Sequence, residues 1–279
     1  MALRFLTILA VLAILTPPAS AQDFQEMETV CTDGTRDAET RSHACTTLID
    51  GAAFTDLSDY ARTHLNRAEA RQAVGDLQGA LADLDTTLDY DPYSFQAYMV
   101  RGDVLLRLEE PYRAIADFSV AAGLNPLSAM PYARRGLALY AHREYASAIQ
   151  DLETALSYDA DHSEARRTLA WILATAPDAG LRDGARAADL LGDIDRNDPQ
   201  TILVEAAVLA ESGDVAGALA RYKEIAGGSE AATTRFQTYL QSSGYFDGSI
   251  DGKFDPTLEA ALTKCLEEGC RIGAPRAAP

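Results

Sequence analysis

FQAYMVRGDVLLRLEEPYRAIADFSVAAGLNP, residues 95–126, decides the fold. Its large apolar residues fall at helical spacing, with Tyr98 and Leu105 on one face of the first half and Phe118 on the second. This periodicity predicts a helix over 95–108 and another over 112–124. Glu109-Glu110-Pro111 forms the turn between them. Asn125-Pro126 ends the second helix, because proline cannot continue it and pushes the preceding residue out of helical geometry. Gly102 and Ala114 lack bulk at the level where the two helices meet, so the backbones can approach to the short end of helix-packing distances.

The same pattern recurs at a period of 34 residues on both sides. Small residues stand at Ala68, Gly102, Gly136 and Ala170, and again at Ala80, Ala114 and Ala148. With the second series run Leu81, Ile115 and Ile149, then Asp83, Asp117 and Asp151, then Leu84, Phe118 and Leu152. Rings recur at His64, Tyr98 and Tyr132. A fixed period of this length identifies a stack of supersecondary units, none of which can bury its apolar face alone. Tyr98, Gly102, Ala114, Phe118, Ala121 and Pro126 resemble the signature of the tetratricopeptide-repeat (TPR) family, and Tyr132, Gly136, Ala148, Leu152 and Ala155 repeat it, with Ala160 in place of the proline.

The expected fold is therefore all-α, a solenoid of helical hairpins with three regular units over 61–160. Degenerate units follow over 161–228, where Thr175-Ala176-Pro177-Asp178-Ala179-Gly180 lengthens one turn and a helix is expected over 185–194. A helical cap is expected over 22–60, since terminal repeats depart from consensus to cover an open apolar face. The resemblance implies that first helices line a groove for a protein or peptide ligand. Its candidate residues are Arg62, Glu69, Gln72, Gln96, Met99, Asp103, Leu106, Arg107, Met130, Tyr140, Arg167 and Trp171. The lysine/asparagine clamp by which some TPR domains hold a C-terminal carboxylate does not occur.

Arg4, the apolar run Phe5–Leu15, Pro17-Pro18 and Ala19-Ser20-Ala21 read as an export signal over 1–21. The run is shorter than the about 20 residues a membrane helix needs, so no membrane insertion is expected after cleavage. Export implies an oxidising compartment, and the four cysteines then imply two disulfides. Cys31 with Cys45 and Cys265 with Cys270 is the most local of three connectivities, and a metal site using His43 matches no zinc spacing. The formal charge of −18 repels phosphate backbones and anionic headgroups, which disfavours nucleic acid as a partner.

After Gly227-Gly228 the pattern changes to helix, glycine-rich loop, helix over 229–273, with a disordered tail expected over 274–279. Phe236, Gln237, Leu240, Gly244, Tyr245, Phe246, Asp247, Gly248, Ile250, Asp251, Gly252 and Phe254 resemble the peptidoglycan-binding-like domain of cell-wall proteins. Positive φ is expected at Gly244, Gly248 and Gly252, with Asp247 and Asp251 bonding nearby N–H groups. The sequence departs from the family at Asp255, Leu258 and Cys265. The resemblance makes peptidoglycan a candidate partner, against a structural cap or protein-docking role. Asp247, Ser249, Asp251 and Gly252 also mimic half of a calcium loop, but Leu258 occupies the position that needs a bidentate glutamate, and Glu259 comes one residue late.

Catalytic patterns are lacking. The four histidines, His43, His64, His142 and His162, stand in no arrangement with a nucleophile, and no zinc-protease, Walker or dinucleotide motif occurs. The expectation is a non-enzymatic periplasmic adaptor that needs no cofactor.

Overall fold

The computed structural model describes residues 21–51, 54, 56–192, 194 and 198–272. The export signal falls outside them except for Ala21, as does the tail over 274–279. The described elements are helical throughout, and the chain divides into two compact units between Tyr90 and Asp91.

The first unit holds α1 (Ala21–Thr32), α2 (Ala38–Asp50), α3 (Leu57–Val74) and α4 (Leu77–Tyr90). Asp37 caps α2 by accepting from the Thr40 amide, and Asp56 caps α3 through Ser58. Between α1 and α2 the Cys31–Cys45 disulfide closes a small core of Ala44 and Leu48, with Phe24, Met27, Val30 and Phe54 packed around it. This hairpin packs on α3, and α3 packs on α4.

The second unit continues with α5 (Phe95–Arg107), α6 (Pro111–Leu124), α7 (Ala129–Ala141), α8 (Tyr145–Tyr158), α9 (Ser163–Thr175), α10 (Gly184–Leu191), α11 (Pro199–Glu211), α12 (Val215–Gly228), α13 (Glu230–Ser242) and α14 (Pro256–Glu267). Successive pairs from α5 to α12 form hairpins. The close approaches expected at the small residues are present. A Cβ on Gly102 would lie 2.5 Å from the Phe118 ring, and one on Gly136 would lie 2.8 Å from Leu152 Cγ. The long turn after α9 contains a short 3-10 segment, Ala179–Leu181, and α10 ends at Leu191, earlier than expected.

Hairpin turns share one geometry. Glu109 has φ +60°, its N–H reaches the Leu106 carbonyl at 3.1 Å, and the Glu110 N–H reaches the Leu105 carbonyl at 2.8 Å. This is the Schellman pairing that satisfies the last carbonyls of a helix. Gly75, Arg143 and Gly213 sit in the same left-handed position of their turns. Glycine is free to do so, whereas Glu109 and Arg143 occupy a region that disfavours side chains.

The recurring aspartates have a partner invisible in the apolar pattern. Arg67, Arg101 and Arg135 stand 16 residues before Asp83, Asp117 and Asp151 and clasp them across each hairpin. Arg135 Nε donates to Asp151 Oδ2 at 2.6 Å and Nη2 to Oδ1 at 2.8 Å, and the Arg135 guanidinium also lies 5.6 Å from the Tyr132 ring centroid. Two parallel charge-assisted bonds fix distance and orientation together. In the first hairpin Asp83 also accepts from Arg71 Nη1 and His64 Nδ1, both at 2.8 Å. Burial pushes the Asp83 carboxyl up, but the bonds from His64 and Arg67 and the charges of Arg67 and Arg71 outweigh it and hold the group below the ordinary range. His64 thus packs edge-on against Tyr60, as its ring position implied, and also supports this buried carboxylate.

The C-terminal helices are not a separate body. Phe236, Leu240, Phe246, Leu258, Leu262, Cys265 and Ile272 belong to the same core as Leu169, Val204 and Tyr222, and α12 packs on both α13 and α14. Tyr222 meets Phe236 edge-to-face with centroids 5.4 Å apart. Polar fastenings run alongside: Lys223 to Glu259 at 2.5 Å and Arg271 to Glu211 at 2.6 Å, with the Tyr239 hydroxyl on the Arg271 carbonyl.

A candidate protein-binding face

In the first unit the candidate groove residues lie on α3. Arg62 is exposed and bonded to Asp59, Glu69 is half-buried with Arg41 at 3.6 Å, and Gln72 is half-buried.

In the second unit, Gln96 and Met130 are exposed, while Leu106, Arg107, Asp103, Tyr140 and Arg167 are half-buried. Met99 and Trp171 are not available as anchors, being only 4% and 5% exposed. Both face neighbouring structure: α5 packs on α7, and α7 packs on α9. The Trp171 Nε1–H donates to the Tyr140 hydroxyl at 2.8 Å, as a buried indole requires.

A polar ladder with no mark in the 34-residue register crosses these first helices. Arg134 of α7 reaches Asp103 of α5 at 3.5 Å and Glu164 of α9 at 2.8 Å. Arg167 of α9 reaches Asp198, the N-cap of α11, at 2.5 Å. Every such link joins residues 30 or 31 apart, the repeat length less about one helical turn. That offset is the signal that would have found Arg134, Glu164 and Asp198. Burial raises the Asp103 carboxyl to about 6; Arg134 pulls it down and Glu164 pushes it up. Two carboxylates thus share one guanidinium on a half-open surface.

The C-terminal loop is organised by Gln237, which is fully buried. Its Oε1 accepts from the Asp251 and Gly252 amides, and its Nε2 donates to Asp251 Oδ1 at 2.9 Å and to the Lys253 carbonyl at 3.2 Å. Gly244 and Gly252 adopt positive φ, +78° and +71°. Gly248 does not; it is small because the Phe246 ring would lie 2.5 Å from any Cβ there. Asp251 bonds the Lys253 amide as expected, whereas Asp247 is exposed and forms no such bond among the described residues. Tyr245 is half-buried, and hydrogen bonding to Glu268 holds its phenol above the usual range. Leu258 is core, and Asp255, one of the family departures, caps α14 through the Leu258 amide. Cys265 and Cys270 are disulfide-bonded at the two ends of a Schellman turn, and the Cys270 N–H also meets the Cys265 carbonyl at 2.8 Å. Among the described residues no helix is long and apolar enough to cross a membrane.

A sequence model of the tetratricopeptide repeat matches residues 65–129 and 134–201. A tetratricopeptide-repeat protein from Parabacteroides merdae superposes with TM-score 0.63 at 16% identity, over 88% of this chain and 99% of its own. A double mutant of MamA RS-1 gives 0.53 at 17% identity, over 67% and 97%. YrrB, a TPR protein with an unusual peptide-binding site, gives 0.50 at 20% identity, over 66% and 91%. These likenesses establish the helical-repeat fold.

Proposed function

We propose that this chain, whose residues 65–129 and 134–201 match the tetratricopeptide repeat, is a periplasmic scaffold that holds a protein or peptide partner on its first-helix face and catalyses no reaction. The observation that carries this reading is the ladder Asp103–Arg134–Glu164, with Arg167–Asp198 and Tyr140–Trp171 beside it. It fixes the half-exposed side chains before any partner arrives, which lowers the ordering cost of binding. The peptide site of YrrB, on a similar fold, supports the same use of the repeats. Photo-crosslinkers placed at Gln96, Leu106 and Tyr140 should each trap one common partner in the native envelope, and one at Ala146, on α8, should not. Equal capture from all four positions would defeat the reading.

Periplasmic location rests on Arg4, the run Phe5–Leu15 and Ala19-Ser20-Ala21, together with the two disulfides. Osmotic-shock release of a protein beginning at Gln22 is the expected result; retention of residues 1–21 in the cytoplasmic fraction would refute it.

The C-terminal helices act foremost as a cap, because their core is continuous with that of α11 and α12. Docking at peptidoglycan, which the loop resemblance implies, is the second role we assign. Truncation at Gly228 would expose the α12 core, so the test is substitution of the exposed Asp247 and Ile250 by alanine and lysine respectively. Unchanged pelleting with peptidoglycan would leave the cap as the only role.

A further inference from the structure

Several of the large apolar side chains exposed on the second unit lie in or beside its inter-hairpin loops rather than among the candidate groove residues. Tyr93 and Leu127, 34 residues apart in equivalent inter-hairpin loops, are 80% and 76% exposed. Leu124, which ends α6 three residues before Leu127, is exposed as well. Tyr132 ties the cluster together: its hydroxyl donates to the Pro126 carbonyl at 3.2 Å, and its ring lies 5.7 Å from that of Tyr158, exposed at the end of α8. Contiguous exposed apolar surface of this kind marks an interaction site more often than scattered residues do.

The rim supplies the partner's chemistry. Asp91 precedes Tyr93, and Asp159 and Asp161 follow Tyr158; all three are exposed, and none pairs with a cation among the described residues. Asp161 shares a pocket with Arg166 and Arg186, whereas Asp91 and Asp159 border the strip outside any ion pair among the described residues; on a chain of charge −18 such an edge complements an apolar strip bordered by lysine or arginine. It also repels a second copy of itself and an anionic lipid surface.

We propose that this inter-hairpin edge docks a basic amphipathic segment of a partner protein, with the partner's apolar face over Leu127 and Tyr158 and its cationic flank against Asp159. This contact is independent of the first-helix face, so the protein would engage two segments at once.

Binding of a fluorescent, synthetic leucine–lysine amphipathic helix to the full chain tests the proposal, with a serine–lysine peptide of equal length and charge as control. Leu127→Glu is decisive because it removes apolar surface while adding negative charge. The docked strip predicts roughly tenfold weaker binding for Leu127→Glu. Tyr112→Glu, at a residue 74% exposed near the start of α6 and about 18 Å away along that helix, should leave the affinity unchanged. Tighter or unchanged binding by Leu127→Glu, equal binding of the serine–lysine control, or no binding of the leucine–lysine helix would overturn the proposal. So would a wild-type dimer in sedimentation that Leu127→Glu dissociates, since the edge would then be covered by a second copy.

Discussion

Arg101 and Asp117 meet in a two-pronged clasp, Nε to Oδ2 and Nη2 to Oδ1, each at 2.8 Å, between the two helices of one hairpin. The pair is mostly buried, so its attraction is set against the loss of hydration of both ions. Removing one partner leaves the other charge stranded. Asp117→Ala should therefore lower stability by about 3 kcal/mol in urea denaturation. Replacing both residues by methionine and leucine should recover most of that loss. A double variant as unstable as Asp117→Ala would show that the clasp contributes net stability of its own.

Two hairpin turns carry side chains where glycine is favoured, Glu109 at φ +60° and Arg143 at φ +66°. A left-handed residue costs about 1–2 kcal/mol, against roughly 0.5–1 kcal/mol for the extra freedom glycine brings to the unfolded chain. Glu109→Gly and Arg143→Gly should each raise the melting temperature slightly. A fall in either case would mean that the turn gains more from its side chain than the backbone loses.

Asp103 couples the ladder to pH. Its folded carboxyl sits at about 6, above the ordinary 3.8, so the folded protein binds the extra proton between those values. The contribution is therefore stabilising at low pH and is lost as pH rises from about 4 to about 6. Asp103→Asn should flatten melting temperature against pH over that interval. Asp83, held below its ordinary value, has the opposite sign: its stabilisation is full above pH 4 and fades as pH falls further. Parallel curves for the wild type and Asp103→Asn would exclude the assignment.

Cys31–Cys45 closes the α1–α2 hairpin over a small core. Replacing both cysteines by alanine should cost about 3 kcal/mol, with the loss confined to the first unit. Hydrogen exchange should quicken in α1 and α2 while α7 to α12 keep their protection. Uniform acceleration would show that the two units unfold together.

The hydroxyl of Tyr222 is fully buried and has no hydrogen-bond partner among the described residues. Burial also pushes its phenol far above the usual range. Tyr222→Phe should be neutral or stabilising by up to about 1 kcal/mol, read from the shift in denaturation midpoint.

What could be read from the sequence was whatever repeats at the period of one hairpin. Gly102 against Phe118 and the stop at Asn125-Pro126 are local or 16-residue relationships, and the 34-residue register exposes them. The same register contains Arg67, Arg101 and Arg135, but an arginine on a helix reads as solvated until its partner is located across the hairpin. Met99 and Trp171 are buried rather than open to the groove because neighbouring first helices pack over them, which the 34-residue register does not show. That packing appears in sequence only as the 30- or 31-residue offset joining Arg134 to Glu164 and Tyr140 to Trp171. Glycine-rich spacing located the turns at Gly244 and Gly252, yet could not distinguish them from Gly248, where the constraint is the Phe246 ring. A break in composition at Gly227-Gly228 suggested a boundary that the continuous core does not respect.

The fusion of α13 and α14 onto α12 limits how such a protein can lengthen in evolution. A duplicated hairpin inserted among α5 to α10 meets surfaces shaped for its own kind, and the offset contacts can be copied along with it. Inserted after α12, it would have to replace the seat of Phe236 and Leu262 and sever Glu211 from Arg271 in the same event. Growth by duplication is thus open in the interior and closed at this end, and lineages that gain repeats should gain them upstream of α11.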